Sequence, residues 1–304
     1  MKKYEFTGET KNIDGVILHR IRALMDFGNV KLGDLGGWIE SEKNLSQDGN
    51  AWIYNNAWVY GDARVYGDAR VYEDAHVHGD ARVYGKARVY NNAEVYGDAW
   101  VYNNAWVYGY AMVHGNAQVC GNTHVCGNTQ VCGNARVCGN ARVYGNTRVH
   151  GNTQVHGNAW VHGNAHVYGK AQVYGDANVY GDALVYDKAR VYGDAHVYGY
   201  AEVYGDAHVY GDAEVCSSSS VYGDAEVYRT CDIFWINHIG SRNDTTTFFR
   251  TQSKQIYVKC GCFRGTIDEF ETKVKDTHKD NIHAQMYTLA IQMAKLKLGC
   301  VKET

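Results

Sequence analysis

The sequence predicts a mainly β protein: a parallel β-helix, preceded by a small β cap and followed by an α+β module. A six-residue unit repeats without insertion through most of the chain, and the residues before and after it lack the repeat. The composition agrees with a repetitive β structure, because 34 of the 304 residues are Gly, 25 are Tyr and none is Pro. We therefore expect three domains: the cap at 1–50, the repeats at 51–232 and the module at 233–304.

Residues 1–50 are expected to cover the first coil of the repeats. Part of the stretch VILHRIRAL (16–24) alternates between two faces, as the side chains of a strand do. Such a cap is needed because an uncovered coil would present an open strand edge to other chains.

Each repeat unit, here called a hexad, reads Val-Tyr-Gly-Asp/Asn-Ala-x, and Val recurs at every sixth position from Val59 to Val227. In Ala-x-Val, the outer two side chains point to one side and x to the other, which predicts a short strand. Gly and the following Asp or Asn then turn the chain, and we assign the left-handed conformation to the Asp or Asn. Tyr110 and Tyr200 occupy that position, so we expect them to be strained. Because six residues cannot enclose a core, the hexads must stack as a solenoid.

The hexads, with an aliphatic residue and a small residue four positions later, resemble the hexapeptide-repeat superfamily. The flanking stretch GDLGGWIESEKNLSQDGNAW (33–52) and the C-terminal segment resemble the YdcK-like branch of hexapeptide transferases, which also occurs in phages. The resemblance implies a left-handed β-helix with three hexads in each triangular coil, and so about ten coils. It also implies a homotrimer of parallel prisms.

Four cysteines recur every six residues from Cys120 to Cys138, with histidines nearby. With eighteen residues per coil, spatial neighbours are eighteen positions apart, so one column contains Cys120, Cys138 and His156. The four cysteines therefore do not share one metal, and we predict no metal site. Instead, Cys and His are expected to replace Tyr in ladders of stacked rings along the edges of the coils. The cysteines are expected to be free thiols.

The outward x positions include Trp52, Trp106 and Trp160, which recur three coils apart. Exposed tryptophans at regular spacing suggest a subunit interface. The sequence does not identify which face of the prism packs.

Charge and hydropathy narrow the classes of partner. The formal net charge is -3 with dispersed Lys and Arg, which argues against general nucleic-acid binding. The sequence contains no stretch of about 18 apolar residues, so we predict no membrane span. The N-terminus has no apolar run typical of a signal peptide, so a cytoplasmic location is expected, in the host if the protein is phage-encoded.

The module at 233–304 is predicted to contain two strands followed by two helices. TTTFFR and QIYVKCGCF are typical of a hairpin or edge strands. Thr266 and Glu269 form a capping-box pattern before the first helix. A second helix follows Asn281 and places Met286, Leu289, Ala290 and Met293 at core spacing.

The loops of this module combine glycines, arginines and a helix start, which are the features that bind a small anion. The candidate ligand-binding residues are Ser241, Arg242, Asn243, Arg264, Thr266 and His278. An alternative is a capping and trimerising module in which the Gly and Thr residues only make turns. Cys260 and Cys262 are interpreted either as a redox-active pair or as separate thiols.

We expect a non-enzymatic homotrimer whose solenoid is a scaffold and whose module binds a small, nucleotide-like anion or a partner, for example to sequester a nucleotide signal. No catalytic residue and no cofactor are assigned. The first alternative, implied by the resemblance, is acyl transfer from coenzyme A with a histidine base such as His150, His156 or His162. The second alternative is a purely structural fibre or spike element.

Overall fold

The structure is a computed structural model that describes residues 2–299. The chain divides into two compact units, one up to Gly163 and one from Asn164. Among the described residues, no helix is both long enough and apolar enough to cross a membrane. The domain boundaries at 50 and 232 stay predictions.

The first unit begins with three strands, β1 (Tyr4–Ile13), β2 (Val16–Ala23) and β3 (Leu35–Ile39). β1 and β2 pair antiparallel, as do β2 and β3. β3 then pairs in parallel with a hexad strand, placing Trp38 opposite Trp58. After β3, Glu42–Asn44 forms a 3-10 turn. The N-terminal strands thus continue one of the three solenoid sheets, and in this sheet β3 covers the edge of the first hexad strand.

The solenoid of the first unit contains nineteen strands, β4 to β22, each formed by x and Val of one hexad, from Trp52–Ile53 to Trp160–Val161. Every strand pairs in parallel with the strand three hexads away. Arg88, for example, lies opposite Arg70 on one side and Trp106 on the other. The predicted parallel solenoid with eighteen residues per coil is confirmed. Its left-handed winding is still an expectation from the resemblance.

The inward positions of the hexads are filled by Val and Ala. Val89, Val95 and their equivalents have 0% exposure, as do the Ala residues that precede the strands. Thr replaces Ala in several hexads and is buried as well, and the hydroxyls of Thr129 and Thr147 lie 3.0 Å apart in a hydrogen bond. The alternation read from the sequence therefore gives the core correctly.

The left-handed corner residue is the one that directly follows the edge side chain, Gly in most hexads, and not the Asp or Asn that comes next. Gly109 and Gly199 have φ of 74° and 71°, whereas Tyr110 and Tyr200 do not have positive φ. The predicted strain at these tyrosines is therefore wrong. Successive corners stack closely, and a Cβ added to Gly121 would lie 2.6 Å from the next corner's carbonyl oxygen. Gly fits this position because it has no Cβ.

The edge side chains stack in ladders, as predicted. The rings of Tyr66 and Tyr84 lie 4.8 Å apart and within 2° of parallel, and His78 stacks on Tyr96 at 5.0 Å. All eight described cysteines are free, so the predicted free thiols are confirmed within residues 2–299. Cys300 lies outside the described residues.

The prediction of a tryptophan-lined subunit interface is wrong for Trp52. This side chain is fully buried, because Phe27 and Tyr4 pack on it with ring centroids at 5.3 and 6.2 Å. Trp106 lies between the guanidinium of Arg88 and a histidine ring of its own column. These two tryptophans therefore have partners within the chain.

The second unit continues the same repeat with eleven strands, β23 to β33, from His166–Val167 to Glu226–Val227, and then a 3-10 turn, Thr230–Asp232. Four antiparallel strands follow: β34 (Ile233–Ile239), β35 (Asp244–Arg250), β36 (Ile256–Cys260) and β37 (Phe263–Thr266). The chain ends in α1 (Ile267–His278) and α2 (Ile282–Gly299). The predicted order of two strands and two helices was thus incomplete, since β34 and β37 flank the expected pair.

The module's sheet covers the last coil of the second unit. The Ser220 amide donates to the Thr247 hydroxyl at 3.1 Å, and the Tyr222 hydroxyl donates to the carbonyl of Val258 at 3.2 Å. The helices pack on the other side of the sheet, around Phe248 and Phe270. The solenoid end is therefore closed by an antiparallel sheet.

The predicted core face of α2 is wrong for two of its four residues, since Leu289 and Met293 are 61% and 51% exposed. Ala290 is buried as expected, and the partly buried Met286 packs against the core. The buried face consists instead of Ala284, Tyr287, Ala290, Ile291, Ala294 and Leu298. Both faces of this helix are apolar, and the small Ala residues allow the closer approach to the sheet.

Candidate functional site

A cavity of about 180 Å³ lies in the module, where two strand turns meet both helices. The β34–β35 turn, the β36–β37 turn, α1 and α2 each contribute side chains. The lining residues are Ser241, Arg242, Cys260, Cys262, Phe263, Phe270, Lys273, Val274, Thr277, His278 and Tyr287.

The β34–β35 turn holds one wall of this cavity in place. Gly240 has φ of 74°, and a Cβ added there would lie 1.9 Å from the hydroxyl oxygen of Tyr287. Asn243 is also left-handed, with φ of 51°. Arg242 projects from this turn over Gly261, and its Nη1 lies 3.9 Å from Sγ of Cys262. Gly240 therefore leaves room for Tyr287, and Gly261 leaves room for the Arg242 cation.

The two thiols of the Cys-Gly-Cys turn both line the cavity. Cys260 accepts a hydrogen bond from the Thr246 hydroxyl at 3.2 Å and donates to the Tyr287 hydroxyl at 3.5 Å. Burial, followed by the neighbouring Cys260, raises the pKa of Tyr287. Cys262 is exposed and free. Whether the pair is redox active stays a prediction.

The side chains that line the cavity include two permanent cations. Arg242 and Lys273 are cations, and the ring of His278 lies 5.7 Å from that of Tyr287. No carboxylate is among the lining residues. Besides the larger effects of burial and Cys260, the nearby Asp244 carboxylate raises the pKa of Tyr287 and the Arg242 guanidinium lowers it. A cavity with two cations, several hydroxyls and aromatic walls favours a small anion with an apolar part.

The structure separates the predicted ligand-binding residues into two groups. It brings Ser241, Arg242 and His278 together in the cavity, with Asn243 in the adjoining turn. Arg264 and Thr266 lie outside this cavity.

Both outlying residues have other contacts. The guanidinium of Arg264 lies over the rings of Tyr204 and Tyr222, at 5.3 and 5.5 Å. Thr266 caps α1, because its hydroxyl accepts a hydrogen bond from the Glu269 amide at 3.3 Å. In return, the Thr266 amide donates to the Glu269 carboxylate at 2.8 Å. The predicted capping box is confirmed.

Lys273, Thr277 and Tyr287 also line the cavity, although none of them was predicted from the sequence. Lys273 and Thr277 are four positions apart and therefore lie on one face of α1, but neither stands three or four positions from His278. No sequence signal indicated Tyr287, since its place depends on which apolar face of α2 packs inward.

The stacked cysteines of the first unit make a second polar cluster. The hydrogen bond with Cys138 is the largest influence that lowers the pKa of the Cys120 thiol to about 6. Burial lowers the pKa of His156, the third member of the column. Within residues 2–299, no three His, Cys, Asp or Glu side chains are grouped so as to hold a metal ion.

Two comparisons place the repeats among known proteins. The family model described as YdcK β-solenoid repeat matches residues 63–79, 135–151 and 171–187. A relative named uncharacterized acetyltransferase YdcK, from Escherichia coli (strain K12), is 46% identical over 52 residues. That match covers 17% of this chain and only 15% of the relative.

The matched segments of the family model lie in the solenoid, where the hexads stack as parallel coils. The relative is a bacterial protein, so the expected occurrence in phages finds no support here. The repeat match and the observed parallel coils agree: the matched segments are similar to the YdcK β-solenoid repeat and form parallel coils of a β-solenoid.

Proposed function

We propose that the chain is a non-enzymatic binding protein, in which the solenoid is a scaffold and the C-terminal module binds a small anion. The observation that carries the proposal is the convergence of Arg242, Lys273 and His278 in one cavity that no carboxylate lines. Arg242 comes from the β34–β35 turn, whereas Lys273 and His278 lie on α1, so local sequence does not account for the proximity of Arg242 to the other two. Two like charges beside a shared space are stabilised when an anion lies between them.

The size of the cavity limits the ligand. Its 180 Å³ is below the range of roughly 300–1,000 Å³ typical of sites that enclose a drug-sized molecule. A phosphate or carboxylate group with a small apolar part fits inside. A nucleotide would be held by its phosphate while its base stayed outside the cavity.

Isothermal titration of the full chain with inorganic phosphate and with AMP tests this proposal. We expect saturable binding of at least one probe, weakened about tenfold or more in Arg242→Ala and in Lys273→Ala. Arg264→Ala and Lys254→Ala are matched controls, because both remove a cation that lies outside the cavity. No saturable binding of either probe, or an equal loss in Arg264→Ala, would overturn the anion site.

The homotrimer is part of the same proposal. α2 exposes Ile282, Leu289, Met293 and Leu296 on the face opposite its buried one. With the half-buried Met286, they follow the alternating spacing of three and four residues by which helices pack on copies of themselves. Native mass spectrometry is expected to show three chains, and Leu289→Glu with Leu296→Glu should reduce the trimer. A trimer unchanged by these substitutions would exclude α2 as the interface.

A cytoplasmic location completes the proposal, in the host for a phage-encoded copy. Fractionation of the cells that express the protein checks it: we expect the chain in the cytoplasmic fraction. Recovery in the membrane or the medium would contradict this.

Acetyl transfer from coenzyme A is the second candidate, favoured by the relative's name as an acetyltransferase. Burial lowers the pKa of His150 and His156, so both are neutral near pH 7 and able to accept a proton. His162 stacks on Tyr144 at 4.8 Å. Acetyl-CoA turnover that is lost in His150→Ala, His156→Ala or His162→Ala would establish this activity. If the protein shows no acetyl-CoA turnover and binds no ligand, the purely structural fibre or spike element becomes the favoured function.

A further inference from the structure

A second cleft, of about 270 Å³, lies in the first unit, where the N-terminal segment meets the first coils. Nothing in the proposed function uses it. It is lined by Asn29, Tyr54, Asn55, Arg70, Tyr72 and Arg88.

The cleft opens where one tyrosine ladder is interrupted. Tyr72 and Tyr90 stack at 4.7 Å within 3° of parallel, but Tyr54 is turned 86° from Tyr72, with centroids 6.4 Å apart. The two other ladders begin with parallel pairs, Tyr60 with His78 and Tyr66 with Tyr84. One face of Tyr72 is therefore left without a parallel ring on it.

The wall opposite the coils is firmly anchored. Phe27 and Val30 exchange backbone hydrogen bonds of 3.0 and 2.8 Å, which close a tight turn around Gly28 and Asn29. Phe27 packs on the buried Trp52, and Val30 is 2% exposed. Asn29 is thereby held at the cleft and does not depend on a mobile loop.

The cleft carries two uncompensated positive charges. Arg70 and Arg88 are register partners on adjacent coils, which lie about 4.8 Å apart. Within the described part of the chain, neither guanidinium is in an ion pair with a carboxylate. Arg88 is fixed on its far side by Trp106, whose ring centroid is 4.8 Å away.

Two carboxylates act near the cleft without neutralising it. In addition to burial, the negative charge of Asp34 raises the pKa of Tyr54, and that of Glu73 raises the pKa of Tyr72. Glu73 is occupied elsewhere, since its carboxylate accepts the Asn91 amide at 3.0 Å. The Asp34 carboxylate accepts from the Lys31 amide at 2.8 Å. These amides leave both carboxylates charged, but within residues 2–299 neither carboxylate forms an ion pair with Arg70 or Arg88.

We propose that this cleft binds a planar aromatic anion, with its ring stacked on the open face of Tyr72 and its phosphate or carboxylate between Arg70 and Arg88. The ring continues the ladder from which Tyr54 is turned away, and stacking between aromatic rings is favourable. Guanidinium groups form strong hydrogen bonds with such anions and also stack on rings. The side-chain amides of Asn29 and Asn55 orient the ligand's polar substituents.

The test compares three probes on the full chain: phenyl phosphate, cyclohexyl phosphate and inorganic phosphate. Because only phenyl phosphate has a planar ring, we expect it to bind at least tenfold more tightly than the other two. The titration is repeated on Arg242→Ala, which removes the proposed anion site of the module and should leave this binding unchanged. A failure at one site is therefore separable from a failure at the other.

Substitutions in one column of the coils locate the binding. Arg70→Gln and Arg88→Gln should each weaken phenyl phosphate binding about fivefold or more. Arg142→Gln is the matched control, since Arg142 lies in the same column and stacks on Trp160 at 5.1 Å but is not at the cleft. No saturable binding, equal affinity for all three phosphates, or an equal loss in Arg142→Gln would overturn the proposal. Unchanged unfolding midpoints would show that the variants are folded.

Discussion

The solenoid coils and the C-terminal module are stabilised by contacts of different kinds. In the coils, a buried residue lies between copies of itself, as Val95 does between Val77 and Val113. In the module, Phe248 contacts Phe234 and Phe270 at 5.8 and 6.2 Å, a combination that occurs once. The coils therefore spread their stability over equivalent positions, whereas the module depends on single residues.

This difference also decides where binding sites arise. A regular coil offers the same surface at every repeat, so it has no place that distinguishes one ligand from another. The two sites proposed here lie where the repeat stops: at the single-copy turns of the module, and where Tyr54 leaves its ladder. Departures from a period are thus the features to examine in a repetitive protein.

The largest effect is expected from Gly240→Ala in the module. The added methyl would overlap the Tyr287 hydroxyl, and φ of 74° is unfavourable for Ala. We therefore expect the free energy of unfolding to fall by about 3 kcal/mol or more. Gly223→Ala is the matched control, since φ is 68° and nothing lies within 4 Å of the new Cβ. Urea unfolding of both variants measures the difference. Equal losses would show that the Tyr287 contact contributes nothing.

A smaller and uniform effect is expected from core truncations in the coils. Val89→Ala and Val95→Ala each remove two buried methyl groups, and each should lower the free energy of unfolding by about 2 kcal/mol. The two losses should agree within about 0.5 kcal/mol, because the coils are equivalent. Urea midpoints compare them, with Val258→Ala as the module counterpart. Coil variants that differ by more than about 1 kcal/mol would contradict this equivalence.

The helix cap of the module should contribute about 1 kcal/mol. Thr266→Ala removes the hydroxyl that accepts from the Glu269 amide and leaves that donor without its cap. Thr272→Ala serves as control in the same helix, because its hydroxyl only bonds back to Asp268 and its loss should cost under about 0.5 kcal/mol. Thermal unfolding ranks the two. A cost in Thr272→Ala as large as in Thr266→Ala would argue against the cap.

The smallest expected effect is a pH dependence of the stability that the ion pairs of Glu271 give to the two module helices. The ammonium groups of Lys295 and Lys275 lower the pKa of Glu271 to about 2. In the unfolded chain, the pKa of this carboxyl is about 4.3. The stabilisation is therefore present above that pH and is lost as the pH falls toward 2. The pairs are largely exposed, so we expect under about 1 kcal/mol.

Unfolding of wild type and Glu271→Gln between pH 5 and about 2 measures this term. The variant should lack it, and 1 M salt should reduce it in the wild type. An identical pH profile for both proteins would remove Glu271 as the cause.

Much of the fold was predictable because its period is short and strict. The strands and the buried Val and Ala followed from the hexads. The coil length, and with it the stacking of the edge rings, was implied by the resemblance to hexapeptide-repeat proteins. The capping box at Thr266 was equally local. Of the candidate site, the turn residues Ser241 and Arg242 and the helix-end His278 were named from sequence, because Gly-containing turns and helix ends are local signals.

By itself, the sequence determined the repeat and the identity of its core, whereas the eighteen-residue coil was implied by the resemblance to hexapeptide-repeat proteins. Only the tertiary structure decided which corner residue is left-handed, because that depends on the backbone of the next coil lying 2.6 Å from a Cβ at Gly121. It also decided that Tyr287 and not Leu289 faces the module core, that Trp52 is covered, and that Lys273 joins Arg242. Each of these outcomes depends on contacts between residues distant in sequence, which no local pattern specifies.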